Sequence, residues 1–116
     1  EVRASFYKIG GLTTGSDVRI NGIKVGTVTD RHLDPETYDA VVKMSINSDI
    51  KLPRDTLAAI GSEGILGGMY VQLQPGLENS YIKAGGAIEK TQDFRSLEDQ
   101  VGEILFLATG GTNIEP

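Results

Sequence analysis

The chain has 116 residues, 39% of them hydrophobic and 23% charged, with 15 glycines, one histidine and no cysteine. That length holds one core, and the balance is that of a folded globular domain, not of a disordered tail. Sixteen acids against eleven singly spaced bases, net charge −5, exclude a phosphate-binding patch and hence nucleic acid as an expected partner, and the missing cysteine excludes disulfides and sulfur-ligated zinc.

In chain order, residues 2–7 alternate as a strand and stop at Gly10-Gly11. Residues 17–20 and 23–29 flank Asn21-Gly22, two residues tolerant of positive φ and so a hairpin turn. The second arm continues towards Leu33, and Asp34-Pro35-Glu36-Thr37 turns with proline at its favoured second place. Residues 40–46 set Val42, Met44 and Ile46 on one face against Val41, Lys43 and Ser45 on the other. Pro53 breaks the next connection, 56–60 form a strand, and 69–74 alternate Met69, Val71 and Leu73 with Tyr70, Gln72 and Gln74. A polar loop runs from Pro75-Gly76 to Gly85-Gly86, and 87–89 supply a last short strand. About seven short strands with tight connections predict a mainly β domain, closed as a barrel or packed as a sandwich, either of which hides strand edges.

After Asp93 the period changes. Leu97, Val101, Ile104, Leu105 and Ala108 follow a helical stripe, with Ser96 as N-cap, Glu98 and Asp99 in the first turn and Gly110-Gly111 at the end. The chain thus divides into a β-barrel domain over 1–92 and a C-terminal amphipathic helix and tail over 93–116. Phe106 and Leu107 widen the apolar face. Such a helix either packs on its own barrel or bundles with helices from other copies. No apolar run reaches the roughly 20 residues that span a bilayer. The chain opens at Glu1 in a strand pattern, as an excised domain would.

Catalytic groupings do not assemble. His32 is the only imidazole and falls at a strand end, where a surface position is expected. Ser62 lies in Gly61-Ser62-Glu63-Gly64, the wrong spacing for a nucleophile elbow, and no glycine run leads to Lys-Ser/Thr as a phosphate loop requires. Asp34 with Glu36, and Glu98 with Asp99, suit a turn and a helix start. No enzyme activity, cofactor or metal is expected.

The unusual stretch is Glu63-Gly64-Ile65-Leu66-Gly67-Gly68, two bulky apolar residues bracketed by glycines in a loop. Loop tips are normally polar because they face water. Ile65 and Leu66 either tuck under the fold or project towards another apolar surface or ligand.

With this loop the sequence resembles the MCE (mammalian cell entry) domain, most closely the single-domain type of bacterial Mla lipid-transport systems. The resemblance runs along nearly the whole chain. It includes Phe6 with Ile9-Gly10-Gly11-Leu12, then Val18-Arg19-Ile20-Asn21-Gly22 and Ile23-Lys24-Val25-Gly26-Thr27-Val28. It continues through Leu33-Asp34-Pro35-Glu36-Thr37-Tyr38, Gly64-Ile65-Leu66-Gly67 and Leu97-Glu98-Asp99-Gln100-Val101-Gly102. The resemblance implies a compact barrel of about seven strands (the MCE fold), assembled as a homohexameric ring round a hydrophobic pore that conducts phospholipid and serves outer-membrane lipid asymmetry. It implies a periplasmic domain anchored in the bacterial inner membrane by an N-terminal helix, with ABC permease and ATPase subunits and a soluble periplasmic lipid-binding protein as partners. Ile65 and Leu66 then line the pore, with Gly64, Gly67 and Gly68 as its loop glycines. Leu97, Val101, Ile104, Leu105, Leu107 and Ala108 extend the channel or pack in it. Two departures from the family pattern are Ile at 65, where a second Leu is usual, and Gly68, where a polar residue is usual. Neither changes the loop's apolar character. A competing expectation is an adaptor module that docks a partner protein through the same loop.

Overall fold

The computed structural model describes residues 1–64 and 67–94. They form eight strands: β1 (Val2–Phe6), β2 (Asp17–Ile20), β3 (Ile23–Leu33), β4 (Ala40–Ile46), β5 (Leu57–Ser62), β6 (Met69–Gln74), β7 (Ala87–Ile88) and β8 (Lys90–Gln92). One sheet holds them in the order β7-β1-β4-β3-β2-β6-β5-β8. The two outermost strands are halves of one segment, separated only by Glu89. β7 pairs parallel with β1 (Arg3↔Ala87), and β8 pairs parallel with β5 (Leu57↔Lys90). The sheet therefore curls until a single stretch of chain covers both of its edges, which gives a nearly closed barrel. Flanking bonds tie this seam: the Arg3 amide donates to the Gly86 carbonyl (3.1 Å), and the Arg3 guanidinium donates to the Gly85 carbonyl (2.7 Å). The expected single strand at 87–89 is thus two strands, and the total is eight where about seven were expected. The C-terminal helix predicted after Asp93 lies outside the described residues.

Turn chemistry follows the sequence closely. Asn21 and Gly22 both have positive φ (51° and 84°), as the two-residue hairpin between β2 and β3 requires. Asp34 Oδ1 accepts the amides of Glu36 (2.8 Å) and Thr37 (3.1 Å), which fixes the turn between β3 and β4.

The strands face inward with alternate residues, so Val2, Phe6, Val42, Met44, Val71 and Leu73 fill the barrel. Val42 and Met44 are fully buried as their alternation predicts, while Ile46 is only half-buried and packs at the margin of the core. Val41, on the opposite face, is also buried. A bulge interrupts the β3–β4 ladder: Val28 pairs with Met44 and Asp30 with Lys43, which leaves Thr29 over. Beyond it, residues 30–33 of β3 are exposed, and His32 stands among them with Nδ1 3.3 Å from Asp30 Oδ2. A bulge bends the strand that carries it, in keeping with the exposure of this arm.

Candidate functional site

The β5–β6 hairpin carries the apolar loop. Its ladder runs from Leu57↔Gln74 to Ser62↔Met69. One further bond, from the Glu63 amide to the Gly68 carbonyl (2.9 Å), shuts the loop at its base. Four positions, 64–67, separate the two bonded residues in sequence. The bracketing glycines have different duties. Gly64 has φ +76°, where L side chains are strained, and a Cβ on Gly67 would overlap the Glu63 carbonyl. Gly68 has open space around it and an ordinary φ, so no geometric demand selects glycine there. Ile65 and Leu66 themselves lie outside the described residues, as do Leu97, Val101, Ile104, Leu105, Leu107 and Ala108.

The loop's feet stand against the segment that follows β1. A Cβ on Gly11 would meet Met69 Cγ at ordinary contact distance (3.6 Å), and one on Gly10 would fall 2.8 Å from the Phe94 ring. The Phe94 amide donates to the Lys8 carbonyl (2.9 Å), and Asp93 Oδ1 accepts the Tyr7 amide (2.8 Å). Only Gly10 is required by this packing: its φ is +59° and its missing side chain makes room for the Phe94 ring, whereas a Cβ at Gly11 would fit.

Beside the foot is an ion network that sequence reasoning missed. Arg19 on β2 bonds Asp17 (2.9 Å) and Glu63 (3.2 Å), and Lys24 Nζ lies 3.4 Å from the Asp17 carboxylate. Glu63, and after it Asp17, hold the Arg19 guanidinium above its ordinary pKa, and Arg19 holds Asp17 below the usual carboxylate range. Two acids and two bases leave this shoulder of the loop locally neutral. Only the Asp17-x-Arg19 spacing, two residues apart on one strand face, hinted at it in the sequence.

Among the described residues no group of three or more His, Cys, Asp or Glu is placed to hold a metal ion, and no helix is long and apolar enough to cross a membrane.

The small, nearly closed barrel is that of an MCE domain. The family model described as "MlaD protein" matches residues 1–76, and the chain belongs to that family. The "intermembrane phospholipid transport system binding protein MlaD" of Escherichia coli K12 is 35% identical over 116 residues, covering 95% of this chain and 63% of that protein. Its namesake in Haemophilus influenzae is 31% identical over 109 residues, covering 90% of this chain and 65% of that protein. The chain therefore spans just under two thirds of the length of these relatives. The "lipophilic envelope-spanning tunnel protein B" of E. coli K12 is 33% identical over 89 residues, 65% of this chain and 10% of that protein. Among solved structures, a chain of the Acinetobacter MlaFEDB complex in its ATP-bound Vtrans1 conformation superposes with a TM-score of 0.81 at 20% identity, covering 89% of this chain and 79% of that one. At that identity the likeness concerns the fold.

Proposed function

We propose that this chain is the ring subunit of an Mla-type intermembrane phospholipid transport system and passes lipid through an apolar pore without catalysing a reaction. One observation carries the reading: the bond from Glu63 to Gly68 closes a hairpin loop whose sequence, Gly64-Ile65-Leu66-Gly67, has no polar side chain. The relatives in Escherichia coli and Haemophilus influenzae, binding proteins of an intermembrane phospholipid transport system, point the same way.

The physical demand is plain. Each acyl CH₂ exposed to water costs about 0.8 kcal/mol, so moving a lipid between membranes needs a continuous hydrocarbon lining. Six copies would bring Ile65 and Leu66 together as such a lining, with Gly64 and Gly67 setting the loop's shape. The segment holding Leu97, Val101, Ile104, Leu105, Leu107 and Ala108 would, as a helix, lengthen the conduit. A ring of this kind shields tails and offers few specific hydrogen bonds, which suits transfer better than storage.

The sequence carries no phosphate loop, so energy for directional movement would come from a partner ATPase acting with an ABC permease. Lipid would pass to or from a soluble periplasmic lipid-binding protein. The domain would stand in the periplasm, tethered to the inner membrane, and would serve the lipid asymmetry of the outer membrane. Two measurements test this. Light scattering should give a mass six times that of the chain. In the complete transporter, Ile65→Asn with Leu66→Asn should abolish lipid transfer between vesicles while partner binding persists. Transfer at the unmodified rate would refute the conduit and favour the adaptor reading.

A further inference from the structure

The outer face of the barrel carries a tier of three side-chain positions that leads to the loop. Gly61 on β5 pairs with Tyr70 on β6, and a Cβ at 61 would lie 2.7 Å from Tyr70 Cζ, so the ring fills the space that a side chain there would take. Across the ring from β2 comes Arg19, its guanidinium carbon 4.4 Å from the ring centroid, within cation–π range. The fork is used on its edges as well. Nε and Nη2 donate to Asp17 Oδ2 (3.2 and 2.9 Å), and Nη1 donates to Glu63 Oε2 (3.2 Å). A planar group held on one face and two edges has little freedom left, and its side chain is only 19% exposed.

We propose that Arg19 is a positioning residue for the β5–β6 loop. It takes its own orientation from Asp17 and Tyr70 and holds Glu63, whose amide closes the loop on Gly68, against β2. The loop's first foot is then fixed to three strands instead of one hairpin. The inference rests on the reading of this loop as the conduit's lining, since that is what makes its position matter. A lysine could not do the same work, because an ammonium is a point charge that cannot bond both carboxylates through a rigid fork.

The test is amide hydrogen exchange at Glu63 in the chain, with Arg19→Met (stem kept, fork removed) and Arg19→Lys (charge kept, fork removed). Losing this pair, exposed on its Glu63 side, should speed exchange at Glu63 by about two- to fivefold in both variants, while Val42 in the core stays protected as before. Unchanged exchange at Glu63 in Arg19→Met, or wild-type exchange in Arg19→Lys, would overturn the proposal. Because exchange is read without lipid, this outcome is independent of the transfer assay on Ile65 and Leu66. Failure of the conduit reading would appear in that assay alone.

Discussion

Gly26 sits buried in β3, between Val18 on β2 and Ile46 on β4. A Cβ there would overlap the Ser45 carbonyl oxygen and lie 3.1 Å from Ile46 Cα. Both obstacles are backbone atoms, so no side-chain rotation relieves Gly26→Ala, and β3 must part from β4. Overpacking of this kind costs about 1–3 kcal/mol, and weakening one ladder hydrogen bond adds about 0.5–1.5 kcal/mol. Stiffening of the unfolded chain returns about 0.4–1 kcal/mol. The net loss is about 2.5 kcal/mol, a large share of the roughly 5–15 kcal/mol that holds a domain folded. Urea unfolding followed by circular dichroism should show the midpoint falling by about 1–2 M with an unchanged slope, at matched protein concentration. Gly68→Ala is the control: with open space and an ordinary φ it should be neutral or slightly stabilising. A loss below about 0.5 kcal/mol for Gly26→Ala would refute the argument that backbone approach selects glycine in this strand.

Thr56 is fully buried and its hydroxyl donates to the Pro53 carbonyl (2.7 Å), which also accepts the Thr56 amide (3.1 Å). Thr56→Val keeps the shape and leaves that carbonyl bonded, so the melting temperature should drop by about 5 °C, for about 1 kcal/mol. In acid, the Asp34 carboxyl is held below its ordinary 3.8 by the amides of Glu36 and Thr37, and Asp55 by that of Leu77. Lowered folded values mean that the unfolded chain takes up protons first, so this stability is complete above 3.8 and is lost as pH falls through the folded values. The urea midpoint should be insensitive to these groups at neutral pH and decline below about pH 4, and Asp55→Ala should make that decline shallower.

The features read successfully from sequence are those in which neighbouring residues act on one another. Asn21-Gly22 and the Asp34 turn place their conformational demands within a few positions, and the alternation in 40–46 and 69–74 records two faces of one strand. Long-range arrangements left little trace. Arg19 and Glu63 are 44 positions apart, and neither charge has a local pattern that names the other. The bulge at Thr29 depends on how β4 runs beside β3. Strands of two and three residues, as in β7 and β8, are too short for alternation to show, so the closing segment reads as one weak strand. Val41 is buried although its face of β4 looks like the solvent side, because burial there depends on what the rest of the fold lays over it. The loop's composition announced the candidate site, but not the bond between Glu63 and Gly68 that closes it.

The single segment that covers both sheet edges also dictates an order of events. Arg3 meets Ala87 across 84 positions, and Leu57 meets Lys90. During synthesis, β1 to β6 can pair while both flanks still offer unsatisfied amides and carbonyls, and only the arrival of residues 87–92 silences them together. Until then the nascent sheet is a template at each end for strands of other molecules. A fragment cut after residue 76, where the family match ends, would keep that hazard permanently. The six residues 87–92 are therefore a gatekeeper of solubility during birth of the chain, and shortened versions should be carried past Gln92.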